Sequence, residues 1–177
     1  MKAIKYLSIV FAVGLLSAFT LYDSINWEVV DGYSIKFTSD NPSGVFTRFY
    51  GDIIFDPDNP AQSKVDLTID VNSIETGNDL LNEHALGEQW FDADKYPQIK
   101  FVSSGISKSV NGFEVSGTMT AHGIAKEVTI PFNFINDTFT SSFQVNRGDY
   151  NIGSTEGMMS NVPVILQIDV TVPVIRK

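Results

Sequence analysis

Apolar and polar residues alternate with a period of two along most of this chain. In KVDLTIDV, Val65, Leu67, Ile69 and Val71 share one face, while Lys64, Asp66, Thr68 and Asp70 share the other. Near the C-terminus, VILQIDVTVPV puts Val164, Leu166, Ile168, Val170, Val172 and Val174 on one side. This is the signature of strands with one buried face. INWEVV, YSIKFT, VFTRFYGDIIF, QIKFVSSGIS, FEVSGTMTA, EVTIPFNFI and TFTSSFQVNR continue the pattern. The turns between these segments have physical causes. Asn111-Gly112 accepts the positive φ of a tight hairpin turn, and FDPDNPAQS (Phe55 to Ser63) is a Pro/Asn/Asp loop. FINDTF (Phe134 to Phe139) supplies a further turn.

Eight or nine closely spaced strands of this kind predict an all-β antiparallel barrel or sandwich. Single-face alternation in long strands favours the barrel. So does an apolar face rich in phenylalanine: Phe37, Phe55, Phe101, Phe113, Phe132, Phe134, Phe139 and Phe143 all fall on inward positions. An eight-stranded barrel either fills its interior with side chains or encloses one small ligand. Gly117 and Ser103 among the large rings leave room for a cavity, and a packed core of rings is the alternative.

One stretch departs from the strand period. Asn78 to Trp90 reads as a short helix, with Asn78 or Thr76 able to cap its start. Leu80, Leu81, His84 and Ala85 follow helical spacing along one stripe. On a barrel, such a helix between two strands lies across an open end. His84 as a general base would need a positioned proton donor and an orienting partner. No nucleophile-elbow motif accompanies it. The other histidine, His122, is 38 positions away in the sequence, so metal-ligand spacing is lacking. The residue reading of His84 is a partly buried side chain bonded to backbone, with ligand contact as the functional alternative.

The first 18 residues change the picture of where the protein works. Lys2 and Lys5 precede the eleven-residue apolar run Tyr6 to Leu16, followed by the small residues Ser17 and Ala18. That is the layout of a secretory signal peptide over residues 1–18, with a single domain over residues 22–177. A membrane span wants about 20 apolar residues, so no stable membrane insertion is expected once the signal is cleaved. The predicted location is periplasmic or secreted. Removing Lys2 and Lys5 takes the net charge from −9 to −11, which disfavours nucleic acid as a partner. Cysteine is absent, which excludes disulfides, thiol catalysis and thiolate metal sites.

Arginine is scarce: Arg48, Arg147 and Arg176 only. Arg147 shares an inward face with Phe143 and Val145 near a strand end. A buried arginine needs a partner. Asp149 is the near candidate, and a polar anchor for a ligand head group is the functional alternative. Arg48 reads as surface, His122 as a turn residue at a strand end, and Met158-Met159 as part of a loop.

Several motifs together resemble the YceI-like family, polyisoprenoid-binding, lipocalin-like barrels exported by bacteria. They are W-x-V-V-D-x-x-S-I-x-F at Trp27 to Phe37, G-x-I-x-F-D-P at Gly51 to Pro57, and D-V-x-S-I-x-T-G-N at Asp70 to Asn78. H-x-x-x-x-x-W-F-D-x-x-K-Y-P-x-I-x-F follows at His84 to Phe101, then V-x-G-x-x-T-x-H-G at Val115 to Gly123 and F-x-V-N-R-x-D-Y at Phe143 to Tyr150. The resemblance implies an eight-stranded antiparallel lipocalin-like barrel with one short helix, built around an elongated apolar pocket. It implies a long-chain isoprenoid, or a similar lipid such as a quinone, as ligand and no established catalytic reaction; no cofactor is expected. A homodimer would be unsurprising by analogy. Tyr33, the histidine-free TSDNPSG turn and Leu81-Asn82 depart from the commoner family pattern. These changes remove polar and cationic groups and point to a neutral lipid, a quinone or a fatty amide.

The expectation is therefore an exported lipid-binding protein serving transport, storage or stress protection. Its wall would be Phe37, Phe49, Phe55, Leu67, Ile69, Phe101, Phe132, Phe134, Phe143 and Leu166. His84, Trp90 and Arg147 would stand at the rim. The alternatives are a lipid-acting enzyme using His84 and a solid-core structural or adhesion domain.

Overall fold

The computed structural model describes residues 25–39, 42–153 and 162–177. The signal-peptide segment 1–18 and the Met158-Met159 pair lie outside the described residues. The chain forms β1 (Asn26–Val29), β2 (Ser34–Thr38), β3 (Gly44–Phe46), β4 (Phe49–Ile54), β5 (Lys64–Asp70) and β6 (Ile74–Glu75). A helix, α1 (Asp79–Leu86), comes next. It is followed by β7 (Gln98–Ser109), β8 (Gly112–Ala121), β9 (Ile124–Ile135), β10 (Thr138–Asn146) and β11 (Ile165–Arg176).

These eleven segments make eight barrel strands, because three of the strands are broken. β1 and β2 both pair with β11 along one edge. On the other side, β1 pairs with β4 and β2 with β3. β5 and β6 in turn pair with β4 and β3. The order is then β7, β8, β9, β10 and β11, all antiparallel, and β11 closes on β1 and β2. INWEVV and YSIKFT are thus halves of one strand, split by the turn at Gly32 (φ 97°).

The three breaks lie side by side, and two hydroxyls repair them. Tyr33 Oη donates to Thr47 O (2.8 Å) and accepts from Phe49 N (3.3 Å). Ser73 Oγ donates to Asp70 O (2.6 Å) and accepts from Arg48 N (3.0 Å). Main-chain groups that leave a ladder need other partners when buried, and Ser73 is buried. Arg48 lies at the surface on Asp70 (2.9 Å).

Tight turns join the later strands. His122 (φ 48°) and Gly123 (φ 74°) join β8 to β9, and Asn136 (φ 50°) and Asp137 (φ 53°) join β9 to β10. Two successive positive φ angles give the strand-matching hairpin twist. The hairpin read at Asn111-Gly112 forms, but on Val110-Asn111, with Ser109 paired to Gly112. There only Gly112 has positive φ.

Aromatic rings fill one end of the barrel. Phe55 is fully buried and meets Phe113, Phe132, Phe134 and Phe139 edge-on at centroid distances of 5.1–5.4 Å. Trp27 stacks edge-on against Phe134 at 5.0 Å, and its Nε1 donates to Phe55 O (2.8 Å). That bond satisfies the polar handle of a buried indole. The opposite end carries α1 and the turn at Arg147.

Candidate functional site

Above the aromatic plug the barrel is hollow. A cavity of about 410 Å³ runs from Phe55 to the mouth beneath α1. This lies within the range of ligand pockets, roughly 300–1,000 Å³. Each of the eight barrel strands contributes apolar residues from its inward positions. Val65, Leu67 and Ile69 come from β5, and Leu166, Ile168, Val170 and Val172 from β11. Gly117, with no side chain, lets the Phe101 ring of the wall pack directly onto β8. A Cβ there would fall 2.8 Å from the Phe101 ring and closer still to the Val102 carbonyl.

Of the residues read from the sequence, Phe37, Phe49, Phe55, Leu67, Ile69, His84, Trp90, Phe101, Phe132, Phe143, Arg147 and Leu166 line the cavity. Phe134 does not. It sits in the plug between Trp27, Phe55 and Phe139. Phe91, Tyr150 and Ile152 also line the cavity. They sit in turns, where no period marks an inward face, so alternation could not have found them.

The helix covering the mouth is shorter than the sequence suggested. Asn78 caps it, accepting from Leu80 N and Leu81 N. Gly87 ends it, its N–H donating to His84 O (3.2 Å). The chain then folds back, with Phe91 N donating to Ala85 O and Asp92 N to Gly87 O. This reversal brings Trp90 and Phe91 to the cavity. Leu81, His84 and Ala85 form the stripe that faces it. His84 is exposed, not tucked under the helix.

Arg147 follows β10 in a short 3₁₀ turn capped by Asn146, and only 1% of it is exposed. It does not rely on Asp149, which instead lies 3.9 Å from Lys126. Nε donates to Pro163 O, Nη1 to Ile152 O and Gly153 O, and Nη2 to Val162 O, at 2.7–3.1 Å. The guanidinium also lies over the Trp90 ring at 5.1 Å. Burial lowers its pKa. Arg147 therefore fastens two distant stretches of chain to the end of β10 beside the mouth. Next to it, Tyr150 is 3% exposed, and burial, then the charge of Asp149, raises its phenol pKa. His122 holds this turn through Nδ1 and Tyr150 O (3.1 Å), with Tyr96 edge-on at 4.7 Å.

Two positions that depart from the family pattern lie away from the cavity. Tyr33 bridges the strand break, and Asn82 bonds Thr76 and Glu75. The Asn82 amide, then the Gly77 N–H, lowers the Glu75 pKa. Of these departures, Leu81 and, among the described residues of the TSDNPSG turn, Pro42 reach the pocket. Among the described residues, no helix is long and apolar enough to cross a membrane.

The barrel and pocket have relatives. The YceI-like domain model matches residues 24–172. The chain belongs to the YceI-like family. UPF0312 proteins of Yersinia enterocolitica and Yersinia pseudotuberculosis are 29% and 30% identical to it over 137 residues, covering 71% of each chain. BcnA of Burkholderia cenocepacia superposes with a TM-score of 0.76 at 31% identity, over 84% of this chain and 99% of BcnA. The fold is also that of a polyisoprenoid-binding domain from Saccharophagus degradans, with a TM-score of 0.59 at 14% identity over 87% of this chain and 98% of that one.

Proposed function

We propose that this YceI-like protein is an exported carrier that holds one long-chain isoprenoid, quinone or similar neutral lipid inside its barrel. The observation that carries the reading is the 410 Å³ bore, walled by apolar side chains and closed at one end by the Phe55 cluster. Burying a methylene is worth about 0.8 kcal/mol. Association costs at least ~4 kcal/mol, and micromolar affinity needs about 8 kcal/mol net. A tail of about 16 buried carbons therefore suffices without any specific head-group bond. Short-chain lipids fall well below this.

The residues proposed to touch the tail are Phe37, Phe49, Leu67, Ile69, Phe101, Phe143 and Leu166, with Phe55 and Phe132 at the floor. His84, Trp90 and Arg147 stand at the mouth. Arg147 acts there by organising main chain, since its donors already meet carbonyl oxygens. The rim around His84 is built from Leu81, Ala85 and Trp90, which supports contact with ligand over acid–base chemistry. Export rests on the pattern of Met1 to Ala18, and the periplasmic or secreted location and the cleavage follow from it. Transport, storage and stress protection all draw on the same burial.

The test is displacement of a fluorescent fatty acid from delipidated protein. Ubiquinone and a long prenyl alcohol should displace it in the micromolar range or below, and a prenyl unit of five carbons should not. Equal displacement by both chain lengths would sink the burial mechanism.

A further inference from the structure

The barrel wall has a seam between β9 and β10. These strands pair only from Thr138–Ile135 to Thr140–Asn133, although β9 runs from Ile124 and β10 continues to Asn146. The ladder stops for a chemical reason. A two-residue hairpin closes on a hydrogen-bonded pair, here Ile135–Thr138, and such rungs recur at every second residue. The next are Asn133–Thr140 and Pro131–Ser142. Proline has no N–H to donate, so the rung at Pro131 fails. Ser141 Oγ donates to Pro131 O instead (2.5 Å).

Past Pro131 the strands enclose a second space of about 250 Å³. Met119, Ile130, Phe143, Val145 and Tyr150 line both this cleft and the main cavity. The seam thus adjoins the pocket, and these five side chains form the wall between them. Its outer side is polar, with Thr129, Gln144 and Asn146. The charges at its edge offset one another, since Asp149 lies 3.9 Å from Lys126. Strand edges that no ladder pairs also offer main-chain N–H and C=O groups.

We propose that this seam is a lateral subsite that holds the uncharged, hydrogen-bonding head of the ligand, such as a quinone carbonyl, an alcohol or an amide. The tail lies in the barrel, so the inference rests on the carrier reading. The mouth is the poorer place for such a head, because Arg147 there already donates to four main-chain oxygens. The seam offers donors and acceptors without net charge, which selects against phosphorylated heads.

The chain has no cysteine, so one introduced thiol carries one label. A bimane fluorophore on Thr129→Cys, in the seam lining, reports the seam, and one on Leu80→Cys, on the exposed face of α1, reports the mouth. Each is titrated with short-tailed ubiquinone, whose head quenches on contact, and native mass spectrometry follows binding. The seam label is expected to lose more fluorescence than the mouth label. Gln144→Leu is expected to weaken ubiquinone roughly three- to tenfold, the worth of one hydrogen bond, and to leave displacement by the head-less hydrocarbon squalene unchanged. Quenching at the mouth alone, or unchanged ubiquinone affinity in Gln144→Leu, overturns the subsite and leaves the carrier standing. A bare protein mass with neither label quenched overturns both.

Discussion

Phe55→Ala tests whether the closed end is a solid plug beneath a hollow bore. The Phe55 ring is fully buried and meets four other rings at 5.1–5.4 Å. Truncating a core phenylalanine costs about 3–5 kcal/mol, more where the site cannot collapse. Edge-to-face pairs add about 0.5–1.5 kcal/mol each. Rigid hairpins surround this site, so the expected loss is about 4–5 kcal/mol. At this chain length that lowers Tm by roughly 10–20 °C. Phe143→Ala is the internal control. Its ring borders both cavity and seam, so one side already lacks packing partners and truncation creates little new void. Its cost should be about 1–2 kcal/mol. Both variants are measured by urea denaturation of delipidated protein, because bound ligand stabilises the folded state. The midpoint should shift at constant m-value. A Phe55→Ala cost below about 2 kcal/mol, or a Phe143→Ala cost equal to it, would refute the division into plug and bore.

Other outcomes follow from the same geometry. Arg147→Lys keeps the charge but loses the planar fork, and at least one carbonyl is left unmet, so thermal melts should show a loss of about 1–3 kcal/mol. Ile69→Arg places an unpaired charge on the apolar wall, and fluorescent-lipid titration should show binding at least tenfold weaker in protein that stays soluble. Tyr150 has a raised folded-state pKa, so its contribution to stability is complete below the unfolded value near 10 and is lost as pH rises through the folded one. Melts between pH 9 and 11 should therefore show a loss that Tyr150→Phe reduces. Pro131→Val restores a donor at the failed rung, and hydrogen exchange should show new protection in β9 next to the seam.

The strand faces of β5 and β11 read directly from alternation, because each strand turns its apolar positions to the cavity. The breaks did not. Asp31-Gly32 looks like a hairpin turn, and only pairing shows that both flanking segments share β11 as a neighbour. The Arg147 clasp was hidden because its acceptors lie 5 to 16 residues away and are main-chain oxygens, which carry no residue signature. Asp149 looked the better partner because charge is visible in a sequence and carbonyl geometry is not. The spacing predicts a helix through to Trp90, but it ends at Leu86 with Gly87 as its cap, and Trp90 reaches the cavity from the turn beyond. Pro131 carried a legible signal, since a proline inside an alternating strand removes a rung. Whether that rung faces β8 or β10 depends on the hairpin register, which the structure supplies.

The most direct test of the central claim is native mass spectrometry of the protein purified gently from its native host, followed by organic extraction. A barrel that carries a long neutral lipid should show an added mass of roughly several hundred daltons that extracts as a prenyl lipid or quinone. The same spectrum reports whether the carrier is a homodimer. A bare protein mass, in a preparation that also ignores added ubiquinone and fatty acid, would contradict it.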